Sequence, residues 1–293
     1  MEGVVFHPVN PPRRIAIGTH PDIQGILPAV EEVRTFLQKY DIPPVVSQPL
    51  DQKDFRQQIK DGAFDLLIAM GGDGTMLRAG RLCAPAGIPV LGINLGHFGF
   101  LMEIDDQNWS QCLPRIMDGK FFLEERMMLH AEHWRENEKL AEWEALNEVV
   151  ISRGSLVRPI RLISEVDGYA LTNYVADALI VATATGSTAY ALAVQGPILS
   201  PELRNLIVAP VAPHLSVDRS IVLSDRSEVK ITVYTHHEAV ISADGRKPNP
   251  LEDGDVVLVK SSEYNALFVR MQDPGYFYRN LTRYLEHNPT VTD

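Results

Sequence analysis

The chain up to residue 125 alternates between short apolar runs and segments in which apolar residues recur at helical spacing. The apolar runs at 64–70 and 90–94 have the length of buried strands. Apolar positions three or four apart between Val30 and Tyr40, and again after residue 75, indicate amphipathic helices. Alternating strands and helices build a parallel sheet that is covered by helices on both faces. The pattern predicts a three-layer α/β domain over residues 1–125, with a mostly parallel sheet.

The pattern changes near residue 125, where helical spacing gives way to short strand-like segments. Residues 127–135 and 140–151 are predicted to be two strands joined by a polar turn. Asp167-Gly168, between two further strand-like segments, is a strong hairpin signal. We therefore expect an all-β domain over residues 126–270. Helical spacing returns in the tail, so residues 271–293 are predicted to form a C-terminal helix that packs back on the N-terminal domain.

Composition narrows the classes of function. Lys and Arg number 27 against 38 Asp and Glu, a net charge of −11, which argues against a nucleic-acid surface. The apolar runs are too short to span a bilayer, and no leader sequence is evident. The two cysteines, Cys83 and Cys112, form no Cys-x-x-Cys motif and indicate a reducing compartment. These features predict a cytoplasmic protein without nucleic-acid or membrane partners.

A glycine-rich turn, Gly71-Gly72-Asp73-Gly74-Thr75, follows the predicted strand at 64–70 and leads into a helix. Glycines let backbone N–H groups converge on an anion, and a helix N-terminus adds partial positive charge. The turn lacks the Lys of a Walker A loop and the spacing of a Rossmann fingerprint. Asp73 would repel phosphate, so we interpret it as a base that deprotonates a hydroxyl about to be phosphorylated. Alternatively, the run is an ordinary turn with an N-cap-like Asp.

Two further stretches carry candidate chemistry. Asn147-Glu148 lies in an otherwise apolar segment, where it needs partners or water. Glu accepts hydrogen bonds from ribose hydroxyls and Asn can bind a base edge, although the pair could also lie at a solvated strand end. Thr183–Tyr190 forms a small, hydroxyl-rich loop before a helix, in which Tyr190 could stack on a base. The same loop could be a simple N-capped helix start, and Asp177 upstream could be a ligand acceptor or a turn residue.

Taken together, these residues resemble the NAD kinase family. The resemblance covers about 170 residues and consists of six motifs in the family's order, which are Gly71-Gly72-Asp73-Gly74-Thr75, Asn94-x-Gly96-x-x-Gly99-Phe100, Asn147-Glu148, Thr185-Gly186-Ser187-Thr188-Ala189-Tyr190, Gly196-Pro197-Ile198-Leu199 and Asp244-Gly245. The first motif is shared with diacylglycerol and sphingosine kinases. The Asn-Glu and Thr-Gly-Ser-Thr-Ala-Tyr motifs narrow the resemblance to NAD kinases.

The resemblance implies a fold, a reaction and a set of site residues. It implies an α/β domain, an all-β domain and a ligand cleft between them, in which ATP or another donor phosphorylates the 2′-hydroxyl of the adenosine ribose of NAD. It implies Asp73 as the catalytic proton acceptor. The implied NAD contacts are Asp73, Gly74, Phe100, Asn147, Glu148, Arg158, Asp177, Thr188, Ala189, Tyr190 and Ala193. The implied phosphate contacts are Gly71, Gly72, Gly74, Thr75 and Arg78.

The cofactor and partners follow from the same resemblance. Mg²⁺ is expected to arrive with ATP, and no side chain is assigned as its ligand. The expected partners are NAD and ATP, in a homodimer or homotetramer. The chain departs from the family pattern at Ala184, Val175, Ala193 and Arg246. A lipid kinase that shares the glycine turn and a non-catalytic NAD(P)-binding sensor are the alternative functions.

Overall fold

The computed structural model describes residues 10–20, 24–96, 99–214, 217–272 and 275–286. These residues form two compact units. The first unit comprises the described residues up to Glu125 together with those from Ala266 onward, and the second unit is Arg126–Asn265. Among the described residues, no helix is long and apolar enough to cross a membrane.

The helices are α1 Leu27–Leu37, α2 Lys53–Lys60, α3 Asp73–Cys83, α4 Trp109–Met117, α5 Tyr190–Ala193 and α6 Tyr276–Glu286. The strands of the first unit are β1 Ile15–Thr19, β2 Val46–Pro49, β3 Leu66–Gly71, β4 Val90–Asn94 and β5 Ile104–Asp105. The strands that follow are β6 Phe122–Arg135, β7 Glu138–Ala145, β8 Glu148–Arg153, β9 Ile160–Val166, β10 Tyr169–Ala176, β11 Ala178–Thr183, β12 Asn205–Val211, β13 Ile221–Ser224, β14 Val229–Tyr234, β15 Ala239–Ala243, β16 Asn249–Leu251 and β17 Val256–Arg270.

The first unit contains a parallel sheet with strand order β2-β1-β3-β4. Every residue of β3 is buried, as expected for a strand with helices on both faces. On one face, α1 and α4 share an apolar cluster with β1, β3 and β4. On the other face, α3 packs so closely that a Cβ on Gly92 of β4 would lie 3.0 Å from the Sδ of Met76. The predicted three-layer arrangement is confirmed, and the carboxyl ends of β3 and β4 lie side by side.

The second unit consists of antiparallel strands. One sheet has the order β13-β12-β11-β8-β15-β16, and another contains β10-β9-β14-β17. The inward-facing residues of both sheets form one buried apolar cluster, to which β6, β8, β9, β11, β14 and β15 contribute. Alternate residues of β14 are buried, as the period-2 pattern requires. The predicted all-β domain is confirmed. The last residues of β17 belong to the first unit, where Phe268 pairs with Val90 of β4.

The prediction of one strand over residues 140–151 is wrong. Strand β7 ends at Ala145, and β8 begins at Glu148. The backbone N–H groups of Leu146, Asn147 and Glu148 all donate to the carboxylate of Asp244 instead of continuing a single ladder. The sequence conceals this break because Leu146 is itself apolar and fully buried.

Candidate active site

The glycine-rich turn lies where β3 ends and α3 begins. Gly71 closes β3 with a φ of +154°, and a Cβ there would collide with the Oγ1 of Thr75. Gly72 is the N-cap residue of α3, and Asp73 is its first residue. The first turn of a helix leaves N–H groups without intrahelical acceptors and carries partial positive charge. The predicted anion-binding turn therefore lies at a helix N-terminus. Arg78, half-buried further along α3, is the cation nearest to it in sequence.

The carboxylate of Asp73 is held by the loop that follows β4. Its Oδ2 accepts the N–H of Phe100 at 2.7 Å, and its Oδ1 accepts the N–H of Leu101 at 3.1 Å. Burial raises the pKa of Asp73, opposed by these N–H groups, by the charge of Arg270 and by the N–H of Met102. A carboxylate has about four acceptor positions, so three N–H groups leave room for one more donor. Asp73 can therefore accept a hydroxyl proton while its orientation is fixed.

Gly99 explains the last part of the motif that begins at Asn94. A Cβ on Gly99 would collide with the carboxylate of Asp73, so only glycine allows this approach. The Oδ1 of Asn94 accepts the N–H of Gly96 at 3.0 Å and shapes the start of the same loop. The two glycine motifs of the first unit thus meet at Asp73.

In the second unit, Asp244 organises the break between β7 and β8. Its carboxylate accepts the N–H groups of Leu146, Asn147 and Glu148 at 2.9, 2.8 and 3.2 Å. Its own N–H donates to the carbonyl of Glu148 at 3.0 Å, and its φ of +49° is in the left-handed region. Arg246 also bonds to backbone here, to the carbonyls of Glu144 and Ala243. Asp244 thus fixes the backbone on which Asn147 and Glu148 are presented.

Glu148 is 8% exposed, and its pKa is raised to about 7. Burial is the main cause, the charge of Asp244 adds to it, and the N–H of Tyr190 acts in the opposite direction. Its Oε2 is buried and has no hydrogen-bond partner among the residues described. An unpaired buried carboxylate oxygen is costly unless a ligand supplies a donor. Glu148 can therefore accept a hydroxyl donor from a ligand.

The polar loop after β11 lies against the same backbone. Thr183 donates its N–H to the carbonyl of Asn147 at 2.9 Å and its hydroxyl to the carbonyl of Leu146 at 2.6 Å. A Cβ on Gly186 would collide with the carbonyl of Asn147, so the loop needs glycine there. Thr188 bonds back to the carbonyl of Thr185, and Tyr190 begins α5 with 42% of its surface exposed. The structure brings Asn147, Glu148, Thr188, Ala189 and Tyr190 together.

Three further predicted substrate residues lie in the second unit. Asp177 pairs with Arg153 at 3.0 Å. The register pairs Ala182 with Glu148 and Ala178 with Ser152, so Asp177 is about 17 Å along the strands from Glu148. Arg158 is exposed in the loop between β8 and β9, and Ala193 is exposed at the end of α5.

Sequence reasoning missed the residues that support the site. Arg270 is a single charge between apolar residues at the end of β17, a pattern that could have identified it. The N–H groups of residues 100–102 carry no signal in the sequence. Asp244 was part of a motif, but its role in holding three N–H groups becomes visible only in the fold.

One cluster in the second unit has the residue types of a metal site. Ligand atoms of His130, Glu132 and Glu142 lie within 4.8 Å of one another on the β6–β7 hairpin. The ammonium of Lys139 lies 2.6 Å from Glu142 and 3.6 Å from Glu132, and His130 bonds to Glu144 at 2.7 Å. The ammonium of Lys139 therefore neutralises part of the carboxylate charge, and no metal is assigned to this cluster.

A glycine turn at the carboxyl edge of a parallel sheet, with one oriented carboxylate, is the arrangement expected of a kinase that phosphorylates a hydroxyl of a small molecule. Comparison with known proteins narrows this class. The family profiles described as "ATP-NAD kinase N-terminal domain" and "ATP-NAD kinase C-terminal domain" match residues 19–121 and 146–271. The chain belongs to the NAD kinase family, as the sequence motifs predict.

Individual relatives agree with that assignment. An NAD kinase of Chloroflexus aurantiacus is 45% identical over 225 residues, which are 76% of this chain and 81% of the relative. An NAD kinase of Carboxydothermus hydrogenoformans is 39% identical over 74% of this chain and 78% of the relative. The enzyme therefore phosphorylates NAD, and the lipid-kinase and sensor alternatives are not favoured.

Solved structures share the fold. Yeast NADH kinase complexed with NADH has a TM-score of 0.83 and 24% identity, covering 95% of this chain and 89% of the yeast chain. An NAD kinase from Archaeoglobus fulgidus in complex with ATP has a TM-score of 0.74 and 25% identity, covering 94% of this chain and 99% of that chain.

Proposed function

We propose that the enzyme transfers the terminal phosphoryl group of ATP to the 2′-hydroxyl of the adenosine ribose of NAD, giving NADP and ADP. The donor is supported by the ATP complex of the Archaeoglobus fulgidus kinase and the acceptor by the NADH complex of the yeast kinase. The observation that carries the proposal is the orientation of Asp73, with an acceptor position left open at an anion-binding turn.

Asp73 acts as the proton acceptor in this proposal. The ribose hydroxyl donates to the open position of the carboxylate and loses its proton as the new phosphorus–oxygen bond forms. The bond from phosphorus to the bridging oxygen of ADP breaks, and ADP leaves with that electron pair. Burial favours this role because it raises the pKa of Asp73 and makes the carboxylate a stronger base.

The glycine turn neutralises phosphate charge. We assign Gly71, Gly72, Gly74 and Thr75 to phosphate binding, and Arg78 as an added cation. No side chain is assigned as a ligand of Mg²⁺, which would arrive with ATP and be held chiefly by phosphates and water. Bound Mg²⁺ would neutralise charge on the transferring phosphoryl group.

The adenosine part of NAD is assigned to the group around Glu148. The unpaired Oε2 of Glu148 accepts from ribose hydroxyls, Asn147 binds the base edge, and the exposed ring of Tyr190 stacks on adenine beside Thr188 and Ala189. Asp177 is assigned to the nicotinamide end, which is consistent with its distance from Glu148 along the strands. Contacts of Phe100, Arg158 and Ala193 with NAD, and a homodimer or homotetramer, stay predictions of the resemblance.

The test is Asp73→Asn, assayed for NADP formation and titrated with NAD by calorimetry. Losing a general base is expected to lower kcat about 10²–10⁴-fold while NAD still binds. Asn offers one acceptor oxygen where two carboxylate oxygens now meet N–H groups, so thermal unfolding is measured in parallel and a lower Tm is expected. Asp54→Asn, at an exposed acid in the first turn of α2, is the matched control. A kcat within a few-fold of wild type would exclude Asp73 as the base.

A further inference from the structure

Arg270 is the largest fully buried side chain in the described part of the protein, with 1% of its surface exposed. It lies in the first unit at the end of β17. Its Nε donates to the Oε2 of Glu124 at 2.6 Å, and its Nη1 donates to the carbonyl of Leu101 at 2.9 Å. The rings of Phe268 and Tyr276 lie 5.4 and 5.3 Å from its guanidinium carbon.

These contacts lead to Asp73 through one peptide group. The carbonyl of Leu101 and the N–H of Met102 belong to the same peptide. Its carbonyl accepts from Arg270, and its N–H lies toward the carboxylate of Asp73, where it lowers the pKa. A cation at the carbonyl end polarises a peptide and strengthens the hydrogen bond that its N–H donates. The guanidinium of Arg270 and the carboxylate of Asp73 are thus connected through this one peptide.

We propose that Arg270 is a positioning residue, which fixes the 101–102 peptide against the carboxylate of Asp73 and holds that carboxylate ionised and oriented for proton transfer. The inference rests on the proposed role of Asp73 as the proton acceptor. Arg270 touches neither substrate nor reacting atoms in this account and acts through the loop that holds Asp73.

A purely structural role explains Arg270 less well. Buried ion pairs can often be replaced by apolar residues without loss of stability, so burying Arg270 and Glu124 is a poor way to stabilise a core. The Nη2 of Arg270 has no hydrogen-bond partner within the described ranges, which adds desolvation cost. What the pair does provide is a fixed charge beside the loop that carries Phe100 and Leu101.

Several charged or titratable groups act on Asp73 and Arg270. Asp73 is influenced by Arg270, and Arg270 by Glu124, Glu103 and Tyr276. Glu103 accepts the N–H groups of Met271 and Gln272 and so fixes the backbone just after Arg270. Arg270 opposes the rise in the pKa of Asp73 that burial causes. Removing the guanidinium charge should therefore raise the pKa of Asp73 further.

The experiment compares kcat–pH profiles of wild type and the double variant Arg270→Met/Glu124→Gln, which removes the cation without leaving an unpaired buried acid. The acidic limb of the kcat profile is expected to move to higher pH, with KM for NAD within a few-fold of wild type. A purely structural role would lower activity without moving the limb. The single variant Glu124→Gln keeps the guanidinium charge of Arg270, so the acidic limb of its kcat profile should lie at the same pH as in wild type. An unmoved limb in a folded double variant overturns the proposal.

Arg270→Lys is the second test and decides the matter if the double variant does not fold. Lysine keeps the positive charge, but its ammonium lacks the planar set of N–H donors with which Arg270 bonds to both Glu124 and Leu101. We expect kcat to fall about tenfold with KM for NAD unchanged, because the carboxylate is less well positioned. Wild-type kcat in Arg270→Lys would overturn the inference.

If Asp73→Asn retains activity, the proposed role of Asp73 fails. If Asp73→Asn loses activity and the Arg270 variants keep wild-type profiles, only this inference fails.

Discussion

Asp73 and Asp244 are both held by backbone N–H groups, yet they act on different parts of the chain. Asp244 gives its carboxylate to three N–H groups and thereby shapes the chain around Glu148. Asp73 is held by the loop of Phe100 and Leu101 with an acceptor position left over, and burial raises its pKa. At the scale of single residues, one acid fixes a backbone and the other is suited to taking a proton.

Gly99→Ala tests whether the exact place of the Asp73 carboxylate matters. The added methyl collides with that carboxylate and must displace it from the N–H groups of Phe100 and Leu101. Because small misplacement of a catalytic group is costly, we expect kcat to fall about 100-fold with little change in NAD binding. Gly96→Ala is the matched control, since a Cβ there meets nothing within 4 Å. Equal kcat in both variants would show that the position of Asp73 is not critical.

Glu148→Gln tests the ribose contact. With a pKa of about 7, Glu148 is mostly ionised at pH 8 and mostly protonated at pH 6. If the ionised form accepts from ribose, wild-type Kd for NAD should rise about tenfold from pH 8 to pH 6. The variant should bind NAD about 10–100-fold more weakly at pH 8 and show no such pH dependence. Calorimetric titration at both pH values checks this, with exposed Glu138→Gln as control. A pH-independent wild-type Kd contradicts the assignment.

At the scale of elements, the sequence predicts the strands and helices that are determined by the local pattern of apolar residues. Strands β3 and β4 are apolar runs with no competing interpretation, and the glycines after β3 mark its end. The break between β7 and β8 could not be predicted, because the acceptor for its N–H groups is a side chain nearly 100 residues away, Asp244. Arg270 was missed for the same reason, since its partners Glu124 and Leu101 are remote in sequence.

Asp244→Asn is the test at the scale of this element. An Asn tolerates the positive φ but has one acceptor oxygen for three N–H groups, so at least one of them loses its partner. We expect unfolding free energy to fall by about 1–3 kcal/mol and NAD binding to weaken. Asp253→Asn, at an acid that accepts the N–H of Thr235, is the control. Chemical denaturation and NAD titration of both variants give the answer, and wild-type NAD affinity in Asp244→Asn would contradict this role.

At the scale of the whole molecule, a chain of net charge −11 buries acids whose pKa values are raised. Burial raises the pKa of Asp73, Glu103 and Glu148. An acid whose pKa is higher in the folded state retains its proton while the unfolded chain has already released it. Such groups make the folded state less stable as pH rises between the unfolded and folded pKa values. The candidate site therefore lowers the stability of the free enzyme at neutral pH.

The variant Glu148→Gln measures how much the raised pKa of Glu148 lowers the stability of the folded state. The pKa of Glu148 is about 7 against an ordinary value of 4.5, so wild type should lose roughly 2.5 kcal/mol of unfolding free energy from this group between pH 5 and pH 8. Gln has no proton to lose, so the variant should gain about that much relative to wild type over the same interval. The decisive quantity is the change in unfolding free energy between pH 5 and pH 8, compared between variant and wild type. Any effect of the amide that does not depend on pH cancels in this comparison. The titrations of Asp73 and Glu103 cancel as well, because both proteins contain these acids. Urea denaturation without NAD at pH 5 and pH 8 supplies the numbers. If the variant differs from wild type by the same free energy at both pH values, Glu148 is not a buried acid of raised pKa, and the affinity prediction made from its ionisation fails as well.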